Sequence, residues 1–269
     1  MKRSLLVVSS FILLSCSAFS QKSFGEGVTG YVTIPAGKVK GKEIPKFYMS
    51  ATEVTNAQYR EFLEALRAAG DTARLRAAWP DSSQWDKVVP DLVEKSTYFR
   101  NKAYDHYPVV CVSKRGAYLY CEWLAGKIKK GGRNLHVSLP TEEQWEYAAR
   151  GGDSAAVYPW KGTTTKVASG KWKGSYLANY FTATDPDHAP IDTTKYNPKA
   201  DITAPAQSYM PNGYGLYNMA GNVAEMIADH DYAKGGSYMS PKNKILIDAH
   251  NDFTAATGDC TVGFRPVIW

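Results

Sequence analysis

The residues best placed for chemistry in this 269-residue chain lie between Asn212 and Val223, NGYGLYNMAGNV, and in the continuation to Glu225. Gly213, Gly215 and Gly221 allow backbone conformations closed to other residues, and Leu216, Tyr217 and Met219 supply apolar anchors between them. The pattern predicts a compact irregular loop pinned into a core. Asn222 and Glu225 then place an amide and a carboxylate three residues apart beside freed backbone carbonyls. These are hard oxygen donors suited to Ca²⁺. The same two residues also fit a plainer reading, in which Asn222 bonds its own turn and Glu225 opens a helix.

Other chemistry has less support. The five histidines, His106, His136, His188, His230 and His250, form no HExxH or HxxxH pattern. Asp229-His230-Asp231 reads as a solvated cluster rather than a metal site. GxSxG, CxxC and P-loop patterns are missing, which leaves acyl transfer, dithiol redox and nucleotide hydrolysis without sequence support. Gly25 to Gly30 spells a formal GxGxxG, but it leads into extended YVTIP rather than a helix. Lys234-Gly235-Gly236-Ser237 reads as a turn at a strand edge. Cys111, Cys121 and Cys260 are an odd set, in which Cys121 with Cys260 is the one pairing to consider and Cys111 is expected as a small buried side chain.

The chain begins MKRSLLVVSSFILLSCSAFSQ, two cations followed by an apolar run from Leu5 to Leu14 that is too short to span a bilayer. Residues 1–20 are therefore expected to be an export signal, placing the protein in the periplasm, at the outer membrane or at the cell surface. Processing has two readings: Leu13-Leu14-Ser15-Cys16 resembles a lipobox that leaves Cys16 lipidated, and Ala18-Phe19-Ser20 fits cleavage before Gln21. Residues 21–30 are polar and glycine-rich, a tether, and 31–269 form one domain. The formal charge of +6 includes Lys2 and Arg3, so 30 cations against 26 anions leave +4 beyond the leader. That excess is scattered, and nucleic acid is not implied as a partner.

The elements that must position these residues are legible in part. Tyr31–Pro35 and Lys46–Met49 read as strands around the turn-rich AGKVKGKEIP. Thr55 caps a helix with Tyr59, Phe62, Leu63 and Leu66 on one face. Ser113 caps a second, with Ala117, Tyr120, Cys121, Leu124 and Ile128 inward. Thr141 and Gln144 form a capping box for a third, which buries Trp145 and Ala148-Ala149. Residues 71–104 look irregular, pinned by Trp79, Trp85, Tyr98 and Phe99, with a role in binding. Beyond Asp153 come turns and short β-like runs, ending in a terminal strand over 262–269.

Taken in order, GYVTIPAGK, ATEVTNAQYREFL, YPVVCVSKRGAYLYCEWLAGK, LPTEEQWEYAARGG, TAPAQSYMPNGYGLYNMAGNVAE, KGGSY and VGFRPV make the chain resemble the formylglycine-generating enzyme (sulfatase-modifying factor) family along nearly its whole length. The resemblance implies an α+β domain, a C-type lectin-like variant with short helices around small twisted antiparallel sheets. It implies calcium at Asn222 and Glu225 with the carbonyls of Ala220 and Val223, and a second calcium at Asn179, Tyr180 and Asp201. It also implies a copper(I) site of two cysteines between the GGS and GFR motifs. Here no cysteine lies between Gly236 and Asp259, and Cys260 stands alone. No copper is therefore expected, and the chain is expected not to be an enzyme but a scaffold or binding subunit of a cell-envelope protein complex. AWPDSSQW and STYFRNKAYDHYPVV are similar to the gliding-motility and type IX secretion lipoproteins of Bacteroidetes. That likeness implies ring or outer-membrane secretion components as partners and a membrane anchor through Cys16. The alternative is a secreted lectin-like module that binds peptide or glycan.

Overall fold

A computed structural model describes residues 29–88, 97–128, 135–182 and 202–269. Cys16, Asp201 and the export signal lie outside the described residues. The first strand, β1 (Tyr31–Ile34), runs antiparallel to β4 (Phe47–Ser50) with Tyr31 opposite Ser50. The segment between them, expected only as turns, is a hairpin of β2 (Gly37–Val39) and β3 (Lys42–Ile44). Lys40 and Gly41 carry φ of 49° and 79°, the two left-handed residues of a tight turn whose twist matches the flanking strands.

Three helices begin where their caps predict. α1 (Asn56–Ala68) starts at the Thr55–Gln58 capping box and buries Tyr59, Phe62, Leu63 and Leu66. Its neighbour α4 (Lys114–Lys127) starts at Ser113, and α5 (Glu142–Ala149) at the Thr141–Gln144 box. The stretch expected as irregular contains two short helices, α2 (Thr72–Ala78) and α3 (Trp85–Val88). Asp71 caps α2 by accepting from the Arg74 N–H, but only Ala78 of that helix is buried, so no apolar period announces it.

The expected C-terminal strand divides in two. β9 (Val262–Gly263) lies parallel to β6 (Ala224–Met226), and β10 (Val267–Ile268) crosses to the other sheet between β4 and β5 (Val137–Ser138). The link is Arg265-Pro266, where the proline has no N–H for a ladder. β7 (Tyr232–Lys234) and β8 (His250–Asp252) complete the second sheet in the order β8-β7-β6-β9, and the first runs β1-β4-β10-β5. One core cluster holds Tyr59, Phe62, Tyr120 and Phe264, and another packs Trp145 against Met49, Met219 and Val267. Each fully buried ring or branched side chain there contributes about 1.5–3 kcal/mol.

All three cysteines beyond the leader are free and buried. Cys121 belongs to the α1–α4 core, whereas Cys260 sits with Cys111, Trp85 and Tyr238. This separation replaces the considered Cys121–Cys260 pairing. Among the described residues no helix is long and apolar enough to cross a membrane.

Candidate functional site

The 212–225 loop is as compact as its composition predicts. Gly221, with φ +73°, passes so close to the neighbouring chain that an added Cβ would stand 2.2 Å from the Asn179 carbonyl oxygen. Asn222, also left-handed, donates its backbone N–H to that oxygen at 2.7 Å. Its side-chain amide donates to Glu53 Oε1 at 2.9 Å, and its Oδ1 accepts from the Ala204 N–H at 2.7 Å.

Glu225 neither opens a helix nor faces an open coordination site. It lies in β6 with its carboxylate held by Arg265, Nη2 to Oε1 at 2.6 Å and Nε to Oε2 at 2.7 Å, while Trp145 Nε1 donates to Oε2 at 2.8 Å. Both residues of the pair are buried. The calcium set expected from sequence, Asn222 and Glu225 with the carbonyls of Ala220 and Val223, therefore does not assemble as drawn. A guanidinium in bidentate contact already occupies the carboxylate a cation would need. Of the second set, Asn179 donates its amide to the Ile202 carbonyl at 2.9 Å and Tyr180 bonds the Thr165 hydroxyl at 2.8 Å.

Sequence reasoning missed Asn218 and Glu53 in this network. The Asn218 Oδ1 is buried without a hydrogen-bond partner, while its amide nitrogen reaches the Ala206 carbonyl at 3.0 Å and Glu53 Oε2 at 3.3 Å. Burial pushes Glu53 up to about 8, against the pull of the Arg265 charge and with help from the Glu225 carboxylate. Two buried carboxyl groups thus lie in the field of one guanidinium that, of the two, bonds only Glu225, and an oxygen donor beside them is unused.

A second polar array lies on the outer side of α5. Glu142, Trp145 and Glu146 fall three and four residues apart, so one helix face carries all three. Tyr232 and Lys234 share a face of β7 by the two-residue strand period, and β8 brings His250 beside them. His230, Tyr232 and His250 stack with their rings nearly parallel, at 4.7 Å and 11° and then 4.0 Å and 16°. All three ring edges point at one carboxylate. Tyr232 Oη donates to Glu142 Oε2 at 2.8 Å, His250 Nε2 lies 3.0 Å from Oε1, and His230 Nε2 lies 3.5 Å from Oε2.

Lys234, fully buried, bridges Glu142 at 3.2 Å and Glu146 at 2.8 Å from beneath. Asp229 accepts from the Glu142 N–H at 3.0 Å and Asp231 pairs with Lys114, while both carboxylates stay exposed to solvent as expected from the sequence. Because the two imidazoles occupy opposite faces of the Tyr232 ring, they are not arranged to share an ion. Among the described residues no three His, Cys, Asp or Glu side chains are grouped to hold a metal.

Burial pushes Glu142 upward. The hydrogen bonds from Tyr232, Lys234 and His250 and the Lys234 charge outweigh it and hold the carboxyl at about 2. Burial and the Glu142 hydrogen bond together raise the Tyr232 phenol, which stays protonated. Since the folded pKa of Glu142 is depressed, its contribution to stability is present above about pH 4.5 and is lost as pH falls toward 2. With the side chain 19% exposed, that contribution is on the order of 2 kcal/mol after allowance for solvent screening. Urea unfolding between pH 5 and pH 2.5 is expected to show a shallower acid slope in Glu142→Gln than in the wild type. Equal slopes would remove Glu142 from this role.

The three thiols are buried in two separate core clusters. Burial pushes Cys260 up to about 12 and raises Cys111 and Cys121 as well, so all three are held as thiols rather than thiolates. Cys121 belongs to a different core cluster from the other two. In the segment between the GGSY and GFRP motifs the chain instead presents Ile245 and Ile247, both buried, and His250, with a side chain 49% exposed.

A model of the sulfatase-modifying factor enzyme 1-like domain matches residues 17–268. The formylglycine-generating enzyme of Thermomonospora curvata is 31% identical over 240 residues, covering 82% of this chain and 72% of that relative. The Streptomyces coelicolor protein of the same name is 31% identical over 287 residues, covering 90% and 83%. A Bos taurus relative named inactive C-alpha-formylglycine-generating enzyme 2 is 28% identical over 223 residues, covering 71% and 62%. Among solved structures, PvdO from Pseudomonas aeruginosa superposes with a TM-score of 0.59 at 21% identity, covering 88% of this chain and 93% of that one. The expected α+β fold stands. The expectation that the chain is not an enzyme does not, because relatives at 31% identity over more than four-fifths of it carry the name of an enzyme.

Proposed function

The chain belongs to the sulfatase-modifying factor enzyme 1-like family, and from that premise we propose that it is an exported enzyme that modifies a peptide or protein side chain at the Glu142–Tyr232–His250 array. The observation that carries this reading is the three-ring stack aimed at one carboxylate at the protein surface. Glu142 stays ionised and accepts the Nε2 proton of His250. That bond fixes the tautomer and leaves Nδ1 as the basic nitrogen. Tyr232 holds the imidazole plane by stacking and holds the carboxylate by its phenol. His250 is the proton acceptor for a substrate group brought to this face, and Lys234 keeps the carboxylate charged when the imidazole becomes imidazolium. No step is routed through copper, since no cysteine lies between Gly236 and Asp259.

The test is mass spectrometry on synthetic peptides, a cysteine-containing sulfatase-type sequence among them, incubated with the purified exported protein. A mass change produced by the wild type and not by His250→Ala supports the array as the reaction centre. An inert wild type across side-chain types, or a His250→Ala variant of equal rate, would reject it.

Calcium enters this reading as a structural ion held at Asn218, not at Glu225. The unpartnered Oδ1 supplies a hard oxygen, and the neighbouring Glu53, raised to about 8, gives up its proton when the ion binds and supplies the balancing charge. Saturating calcium at about 100 times its dissociation constant is expected to stabilise the fold by about 2.7 kcal/mol. A thermal melt in calcium against chelator reads this directly, and an unchanged Tm would remove the ion. The likeness of residues 78–110 to envelope lipoproteins supports a setting at the outer membrane, with Cys16 as anchor and an envelope complex as partner. Pull-down from native membranes, with a Cys16→Ala control, separates that setting from a free secreted enzyme.

A further inference from the structure

The aromatic residues of the 71–104 stretch do more than pin a long connection. Trp85 and Tyr98 pack at 5.2 Å and Trp79 and Phe99 at 6.1 Å, and between them opens a pocket of about 40 Å³ floored by Val110 and Cys111. Aromatic faces of Trp79, Trp85 and Phe99 share its walls with the polar Ser82 and Arg100, and the Cys111 thiol at the floor is kept uncharged by burial. Tyr98 is committed elsewhere, its hydroxyl donating to the Pro108 carbonyl at 2.7 Å. At the rim Arg100 is exposed, with its guanidinium 5.7 Å from the centre of the Trp79 ring.

Stacking of that kind uses the face of the guanidinium and leaves its N–H edge free. Among the described residues Arg100 has no carboxylate partner. Asp81, a carboxylate within the same stretch, is spent on the Ser83 and Gln84 side chains of its own turn. Arg60, which also packs on Phe99, is by contrast paired with Asp105. A volume of about 40 Å³ corresponds to roughly three water-sized groups, well below the roughly 150 Å³ that holds a benzene ring. The apolar part of an occupant is therefore short and aliphatic.

We infer that this pocket binds a short branched aliphatic carboxylate, with the alkyl group among Trp79, Trp85 and Phe99 and the carboxylate on the Arg100 edge. A free acid and the C-terminal residue of a peptide offer the same chemistry. Titration of the purified protein with isovalerate, isovaleramide, acetyl-Ala-Ala-Val acid and its C-terminal amide, followed by tryptophan fluorescence, distinguishes them. The acids are expected to saturate at least tenfold more tightly than the matching amides. Arg100→Gln is expected to erase that preference with the melting temperature unchanged. Trp79→Leu should weaken acid and amide alike. Tighter binding of the peptide acid identifies a chain terminus as ligand, and tighter binding of isovalerate a free acid. No saturable change up to tens of millimolar, equal binding of acid and amide, or an Arg100→Gln variant that keeps the preference would overturn the assignment. The pocket stands independently of His250, so its failure leaves the proposed reaction centre untouched.

Discussion

Replacing Arg265 with alanine is expected to lower the free energy of unfolding by about 3–5 kcal/mol, the cost of removing one partner from a buried ion pair. The guanidinium is fully buried and donates to more than Glu225: Nη1 also reaches the Ser50 and Ala51 carbonyls at 3.1 and 3.2 Å, and Nη2 the Tyr217 carbonyl at 2.7 Å. Truncation leaves the Glu225 charge unpaired with only Trp145 donating to it, and it removes a donor from the Ser50, Ala51 and Tyr217 carbonyls, of which Ala51 keeps the Tyr217 N–H. Urea unfolding of Arg265→Ala, Glu225→Gln and the Arg265→Ala/Glu225→Gln pair would read the coupling. The double variant should recover part of the loss, because it leaves no charge unpaired. Additive single effects would show that the pair is not the unit that holds the loop.

The second large effect is on rate. His250→Ala is expected to reduce turnover by about 10²–10⁴, the usual worth of a positioned general base. Stability should move little, since the side chain is about half exposed and its loss leaves Glu142 with Tyr232 and Lys234 as partners. Glu142→Gln should lower the rate through the imidazole tautomer and shift the pH–rate profile, which a merely structural contact would not do. If His250→Ala retained full turnover with an altered KM alone, the imidazole would be a binding group and not a proton acceptor.

Much of this fold was legible because its signals are local. Capping boxes at Thr55–Gln58 and Thr141–Gln144, and the apolar face from Tyr59 to Leu66, depend on residues three and four apart. The β2–β3 hairpin escaped because its turn is Lys40-Gly41 rather than Asn-Gly. The division of the C-terminal run between two sheets is set by tertiary pairing on either side of Arg265-Pro266. The site was harder to read. Asn222 and Glu225 attracted attention by chemical type, but burial opposite an arginine 40 positions away decides what Glu225 does, and no spacing rule reports that. Asn218 stood in the same motif and was passed over, since an orphaned oxygen is visible only once its surroundings are packed. For the surface array the available signal was Tyr-Ala-Lys at 232–234, two polar side chains at strand spacing. Glu142 and His250 join them only through α5 and β8.

The most direct measurement is the rate of peptide modification by a protein in which Cys111, Cys121 and Cys260 are all replaced by alanine, normalised to folded protein. A reaction centre built on Glu142, Tyr232 and His250 predicts turnover within about tenfold of the wild type, a small change set against the loss at His250. Turnover abolished in the thiol-free protein would place the chemistry on cysteine and contradict the account.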